Sequence, residues 1–343
     1  MDKSFLDKSS MNKTSMNKTS IGKRVTVSAA ANVALIKYWG KRQGDGNQPA
    51  TPSLSIGLDD LRTTTQLGLV DGTRDSFDPS TQLVMNEQAQ DRIRHYLDQF
   101  RATFRLDHYF SVTTTNNFPT GSGLASSASG FAALAIGLNT LCELNLDKIE
   151  VSKLARRGSG SAARSIYGGY VEIVNDDDAF ATQIDTASAW PLDVVVAVTA
   201  ETPKSINSTD AMTQTAATSP MYAAWLQSHE ADMSAAREAI ANKNFQQLAE
   251  VSEFNCLKMH ATMITSQPGV LYWLPGTLEV MHRVRLLREQ GSAAFFSIDA
   301  GSQVKVVCMP EATATVKSAL ADAPGVLRLI ETRVGGEPEV TFS

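Results

Sequence analysis

The sequence predicts an α+β fold in two domains, because helical and strand-like patterns cluster along the chain instead of alternating. Strand-like alternation dominates as far as residue 70. A strongly apolar helix then follows a glycine- and serine-rich run at 119–130. Beyond residue 198 a long helical stretch precedes two strands. At 343 residues the chain suits two domains of roughly 150 residues each.

In order along the chain, residues 24–28 alternate Val25 and Val27 with polar neighbours, as a half-buried strand does. Residues 53–70 alternate through Leu54, Ile56, Leu58 and Leu61, then Leu67 and Leu69. Residues 91–104 place Ile93, Leu97, Phe100 and Phe104 at helical spacing, and 126–144 repeat it with Phe131, Leu134, Leu138 and Leu141. Residues 171–174 and 194–198 read as strands. Between them Asp176, Asp177 and Asp178 read as a solvated turn, since no ligand-spaced calcium loop surrounds them. Residues 220–265 are mostly helical, 279–289 form another helix, and 294–298 and 304–309 are strands. The pattern changes within 185–193, giving an expected division into 23–188 and 189–343. Ahead of it, residues 1–22 hold a tandem MNKTS repeat, too polar to offset its ordering entropy, and are expected to be a disordered tail.

Composition narrows the function. The chain has 31 Lys and Arg against 36 Asp and Glu, so its net charge of −5 argues against a general nucleic-acid binder. No apolar run reaches the roughly 18 residues of a membrane span, and the polar start lacks a signal-peptide core. Cys142, Cys256 and Cys308 are far apart, odd in number and free of C-x-x-C spacing, as expected of reduced thiols in a cytoplasmic protein. The 5 histidines show no zinc-binding spacing.

Three segments carry chemistry. In PTGSGLASSASG, residues 119–130, glycines and hydroxyls run into the best helix. Its N-terminal N–H groups suit a phosphate, while the alternative is a small-residue helix start selected for packing. In 32–41, ending KYWGK, Lys37 follows an apolar run and needs an anionic partner; otherwise it is a snorkelling lysine beside an aromatic pair. In RRGSGSAARS, residues 156–165, Ser159, Ser161 and Arg164 can converge on one carboxylate or phosphate, and the flanking helix and strand favour this over a flexible basic loop. A fourth candidate is Asp299, either a carboxylate displayed at a strand end or a simple turn former.

In this order the segments resemble the mevalonate diphosphate decarboxylases of the GHMP kinase superfamily. The matching pieces are ALIKYWGK at 34–41, NNFPT at 116–120, GLASSAS at 123–129, GSGSAARS at 158–165, MHAT at 259–262 and DAG at 299–301. They span about residues 24–310, and KYWGK together with GSGSAARS narrows the likeness to the decarboxylase branch. The resemblance implies the two-domain GHMP kinase fold with its active site in the inter-domain cleft, commonly as a homodimer. It implies ATP-dependent decarboxylation of (R)-5-diphosphomevalonate, after phosphorylation of its 3-hydroxyl, with ATP and Mg2+ bound.

By position in the matching motifs, Asp299 serves the 3-hydroxyl as base or orienting group, and Lys37 keeps it ionised. Arg164 holds the carboxylate, with Ser159, Gly160, Ser161, Ala162 and Ala163 around the substrate. Tyr38 and Lys41 would face the diphosphate end, and Trp39, Gly40, Arg92, Thr209 and Met212 are further substrate-binding candidates. Ser122, Gly123, Leu124, Ala125, Ser126 and Ser127 cradle the nucleotide phosphates, and Lys204 lies near them.

Two departures stand out. QPATPSLS at 48–55 replaces an asparagine- and serine-rich stretch, and Thr209 stands where some bacterial enzymes have arginine. The second leaves a 5-phosphomevalonate decarboxylase as the nearest alternative. A 3-kinase without decarboxylation and a catalytically dead nucleotide or partner binder are the others.

Overall fold

The computed structural model describes residues 22–78, 87–118, 126–202 and 205–342. The MNKTS repeat lies outside them.

Strand β1 (Arg24–Ile36) is longer than its alternation suggested. From Ala29 to Ile36 every side chain is buried, so no alternation exists to be read there. This half of the strand is covered on both faces, which favours a continuous apolar run. β1 pairs antiparallel with β2 (Ser53–Val70), and the register shifts between Ala30 and Ala31. β2 is shared: Thr63–Val70 pair with β4 (Tyr109–Asn116), and Ser53–Ile56 pair with β5 (Tyr170–Val174). A short β3 (Ser76–Phe77) joins β4, and β6 (Phe180–Asp185) joins β5. Helices α1 (Glu87–Phe104), α2 (Ser126–Leu141) and α3 (Lys148–Gly158) complete this half.

α2 stops three residues short of the expected end. Glu143 and Asn145 adopt positive φ, and Asn139 ties the turn through both backbone groups of Leu146. The Asp176–Asp178 turn is only partly solvated: Asp178 pairs with the buried Arg156 at 2.5 Å, whereas the Asp176 carbonyl accepts from Arg42.

The second half is built on an antiparallel four-stranded sheet, ordered β10 (Arg328–Arg333), β7 (Asp193–Val198), β9 (Val304–Cys308), β8 (Ala294–Ile298). Its helices are α4 (Ser208–Thr218), α5 (Tyr222–Ala241), α6 (Phe245–Ile264), α7 (Pro275–Glu289) and α8 (Thr313–Leu320). The helical stretch expected at 220–265 is therefore two helices. Lys243 turns at φ 53°, and Asn244 caps α6 by accepting from the Gln247 N–H at 3.1 Å. The last strand, β11 (Glu339–Phe342), returns across the expected division and pairs with β1.

Two cores follow. Val27, Leu67, Phe110 and Val112 pack with α1–α3. Val33, Leu35, Leu54 and Ile56 instead share a core with Val194, Val196, Met233 and Phe295 of the other half. A third cluster of Trp39, Met212, Trp225 and Met259 lies beneath the cleft. The halves are thus welded by apolar contact along the C-terminal part of β1, and that is where Lys37 emerges.

Candidate active site

The cleft holds a cavity of about 690 Å3, within the size range of small-molecule sites. Lys37, Tyr38, Trp39, Lys41, Arg92, Ser126, Ser127, Ser159, Gly160, Ser161, Arg164, Thr209, Met212 and Asp299, all expected from sequence, line it. Gly40, Ala162 and Ala163 do not. Gly40 makes a turn at φ 100°, and a Cβ there would fall 2.0 Å from the Tyr222 hydroxyl. Ala162 and Ala163 face the first core, because the short 3-10 segment Gly160–Ile166 turns them inward. Ser122, Gly123, Leu124, Ala125 and Lys204 lie outside the described residues.

Asp299 stands just beyond β8 with its side chain 24% exposed, toward the cavity. One oxygen accepts from the Lys37 Nζ at 2.8 Å, and the other lies 3.1 Å from the Nζ of Lys305. Both lysines are almost wholly buried, at 1% and 2% exposure, so their charges need this partner. Burial alone would raise the Asp299 pKa, but the two ammonium groups outweigh it and hold the carboxyl well below the usual range. Ser297 fixes the arrangement: its hydroxyl accepts from Lys37 at 2.6 Å and donates to the Ala34 carbonyl at 2.7 Å. From α6, the Asn255 carbonyl oxygen accepts from the Lys37 N–H at 2.8 Å, and its amide donates to Asp232 at 2.6 Å.

Arg164 is buried and bonded to neutral oxygens. It donates to Ser53 Oγ at 2.6 Å and twice to Asn32 Oδ1, at 3.1 and 3.3 Å. Among the described residues no carboxylate lies within ion-pair range of it. Burial pushes its pKa down to about 10, still leaving a cation at neutral pH. Such a guanidinium favours an incoming carboxylate strongly. Asn32 also donates to the Ser161 carbonyl and to Ser165 Oγ, so one β1 side chain aligns the serine loop and the arginine.

At the other end, Lys41 donates to Asn47 Oδ1 at 2.8 Å and Thr209 Oγ1 at 3.0 Å. Burial and the nearby Arg92 charge lower its pKa. Arg92 lies over the Phe131 ring, 5.4 Å from its centroid. Asn47, turned at φ 56°, donates to the carbonyls of Arg156 and Arg157 and so ties Lys41 to the serine loop. Tyr38 donates to the Asn47 carbonyl, and burial raises its pKa, keeping it a neutral phenol. Gly160 is required for close approach, since a Cβ there would lie 2.3 Å from the Tyr38 hydroxyl. Ser127 and Ser159 share a hydrogen bond at 3.3 Å, joining the α2 start to this loop.

Sequence reasoning missed Asn32, Asn47, Ser53, Asn255, Ser297 and Lys305. For Ser297 and Lys305 the signal was present: each is a lone polar residue in an apolar strand, AFFSI and VKVVC. Asn32 likewise interrupts the apolar run of β1.

This arrangement puts a doubly held carboxylate, a buried guanidinium and a cationic far end in one cavity. Comparison with known proteins gives the family. Residues 29–189 match the model of the diphosphomevalonate decarboxylase-like N-terminal domain, and 194–340 match that of the mevalonate 5-diphosphate decarboxylase C-terminal domain. The diphosphomevalonate decarboxylase of Candida albicans is 33% identical, across 92% of this chain and 97% of its own. The chain belongs to the diphosphomevalonate decarboxylase family. A phosphomevalonate decarboxylase of Haloferax volcanii is 31% identical over the same 92% of the chain and 97% of its own. A solved structure described as MDDEF in complex with MVAPP, AMPPCP and magnesium superposes with a TM-score of 0.87, at 34% identity, over 94% of this chain and 99% of that one. The two-domain α+β architecture is therefore the one this family shares with the GHMP kinases.

Proposed function

We propose that the protein converts (R)-5-diphosphomevalonate and ATP to isopentenyl diphosphate, carbon dioxide, ADP and phosphate, a step of isoprenoid synthesis by the mevalonate route. The observation that carries this reading is the shared cavity of Asp299, held between two buried lysines, and Arg164, a buried cation with neutral partners. A kinase needs the first; a decarboxylase also needs a grip on the carboxylate that departs.

Asp299 accepts a hydrogen bond from the substrate 3-hydroxyl and aims its oxygen at the γ-phosphorus of ATP. Its depressed pKa makes it chiefly an orienting group, which suits a loose phosphoryl-transfer transition state in which the hydroxyl proton passes to the carboxylate only as the new oxygen–phosphorus bond forms. The ammonium of Lys37 faces the same point and offsets charge gathering on the transferred group. The carbon–oxygen bond to the new phosphate then breaks, the phosphate leaving with the electron pair. Cationic character at that carbon draws the pair from the bond to the carboxylate, which departs as carbon dioxide and leaves the double bond. Arg164, with Ser159 and Ser161, orients the carboxylate without needing to bind it more tightly in the ground state. Lys41, Arg92, Tyr38 and Thr209 take the diphosphate end.

Ser126 and Ser127, at the first turn of α2, would hold the nucleotide phosphates, with Ser122–Ala125 and Lys204 extending the cradle. No group of three or more His, Cys, Asp or Glu residues among those described could hold a metal. The serine hydroxyls are hard oxygen donors that fit Mg2+ arriving with the phosphates, where it neutralises their charge. We read 23–188 as the nucleotide-binding domain and 189–343 as the second, with β11 completing the sheet of the first. The reading includes a homodimer in the cytoplasm. No described helix is long and apolar enough to cross a membrane.

The test offers mevalonate, 5-phosphomevalonate and 5-diphosphomevalonate in parallel with ATP and magnesium. Equal yields of ADP and carbon dioxide from the diphosphate alone are expected. A preference for the monophosphate would favour a 5-phosphomevalonate decarboxylase, with the departures at Pro52 and Thr209 as its source, and ADP without carbon dioxide would mark a kinase.

A further inference from the structure

The carboxylate of Asp299 has two lysines where one ion pair would satisfy it. Lys37 comes from the turn after β1. Lys305 comes from the second position of β9, where its neighbours Val304, Val306 and Val307 are fully buried and where it sits opposite Ser297 of β8. An apolar residue would suit that strand far better, because burying an ammonium carries a desolvation cost that only good pairing repays. Burial accordingly lowers the Lys305 pKa, with Asp299 opposing the shift.

We infer that Lys305 is a positioning residue for phosphoryl transfer: by holding one Asp299 oxygen while Lys37 holds the other, it fixes the plane of the carboxylate that receives the substrate hydroxyl. The inference rests on the role given to Asp299 above. With Lys37 alone the carboxylate can rotate about the Cβ–Cγ bond, and a displacement of the order of 1 Å at a reacting group costs about 100-fold in rate. Lys305 also makes the centre net cationic, since Lys37, Lys305 and Arg164 together outnumber the one carboxylate. That charge suits a site receiving both a carboxylate and a phosphoryl group.

The groups facing Asp299 come from every neighbouring element. Lys37 and Lys305 are in direct contact, and Arg164 of the 3-10 segment acts through space. From α6 come His260, whose pKa burial pushes down to about 3, and Cys256, whose thiol burial pushes up. Both α6 groups are therefore uncharged at neutral pH, and the lysines and the arginine set the behaviour of the carboxylate.

The experiment compares wild type, Lys305→Met, Lys305→Arg, Asp299→Asn and the Asp299→Asn/Lys305→Met pair, with 5-diphosphomevalonate and ATP across pH. For Lys305→Met we expect kcat to fall about 30- to 100-fold, with both KM values within about threefold of wild type. Loss of one cation raises the Asp299 pKa, so the acid limb of kcat shifts to higher pH. Lys305→Arg recovers most of the rate. Because Lys305 acts through Asp299, the pair should match Asp299→Asn alone within about threefold in single-turnover ADP release. That comparison lacks the charge partner in both proteins, so it remains decisive even where Lys305→Met folds poorly. Wild-type kcat and an unmoved acid limb in Lys305→Met, or multiplied losses in the pair, overturn the inference. An inactive wild type would instead overturn the role of Asp299 beneath it, and the inference with it.

Discussion

Replacing Asp299 with alanine lowers ADP and carbon dioxide formation together, by about 1,000-fold, while nucleotide affinity stays within about threefold. The expectation follows from position. Asp299 is the one carboxylate that Lys37 and Lys305 both hold at the cavity wall, and both products depend on phosphorylation of the hydroxyl it receives. The change also strands two buried ammonium groups, which destabilises the region. Asp299→Asn, which keeps the shape and one acceptor oxygen, is therefore measured beside it, with thermal unfolding to confirm a folded protein. Near-normal turnover in either variant would remove Asp299 from the mechanism.

Arg164→Gln lowers kcat by about 100-fold, again for both products, with the KM for ATP little changed. The guanidinium is anchored by Asn32 and Ser53, so its direction is fixed before any ligand arrives. Glutamine brings neither the charge nor the forked geometry that matches a carboxylate. The substrate then binds with its carboxylate misplaced, and the hydroxyl beside Asp299 moves with it. Steady-state kinetics with each substrate varied in turn settles the point. A defect confined to ATP affinity would place this loop at the nucleotide.

Much of the site was legible because its chemistry sits in short contiguous runs. KYWGK and GSGSAARS each deliver several cavity-lining groups from one turn of chain, and small residues with hydroxyls and cations are conspicuous there. What stayed hidden was assembled across distance. Lys305 meets Asp299 only because β8 and β9 are paired, and Asn255 reaches the Lys37 backbone only because α6 crosses the end of β1. Periodicity failed in the same region for a related reason. A strand buried on both faces, such as Ala29–Ile36, has no alternation to display. The QPATPSLS departure is also clearer in three dimensions. It keeps Ser53 on Arg164, and the Pro52 carbonyl bonds His229 of α5 at 2.8 Å, so it supports the site from behind.

In the proposed reaction the 3-hydroxyl oxygen receives the γ-phosphoryl group and departs with it. Substrate labelled with 18O at that hydroxyl tests this directly, by mass spectrometry of the phosphate released in a single turnover. One 18O is expected in each inorganic phosphate, formed in step with carbon dioxide. Label recovered in water, with unlabelled phosphate, would mean that the hydroxyl leaves without being phosphorylated and would contradict the mechanism built on Asp299.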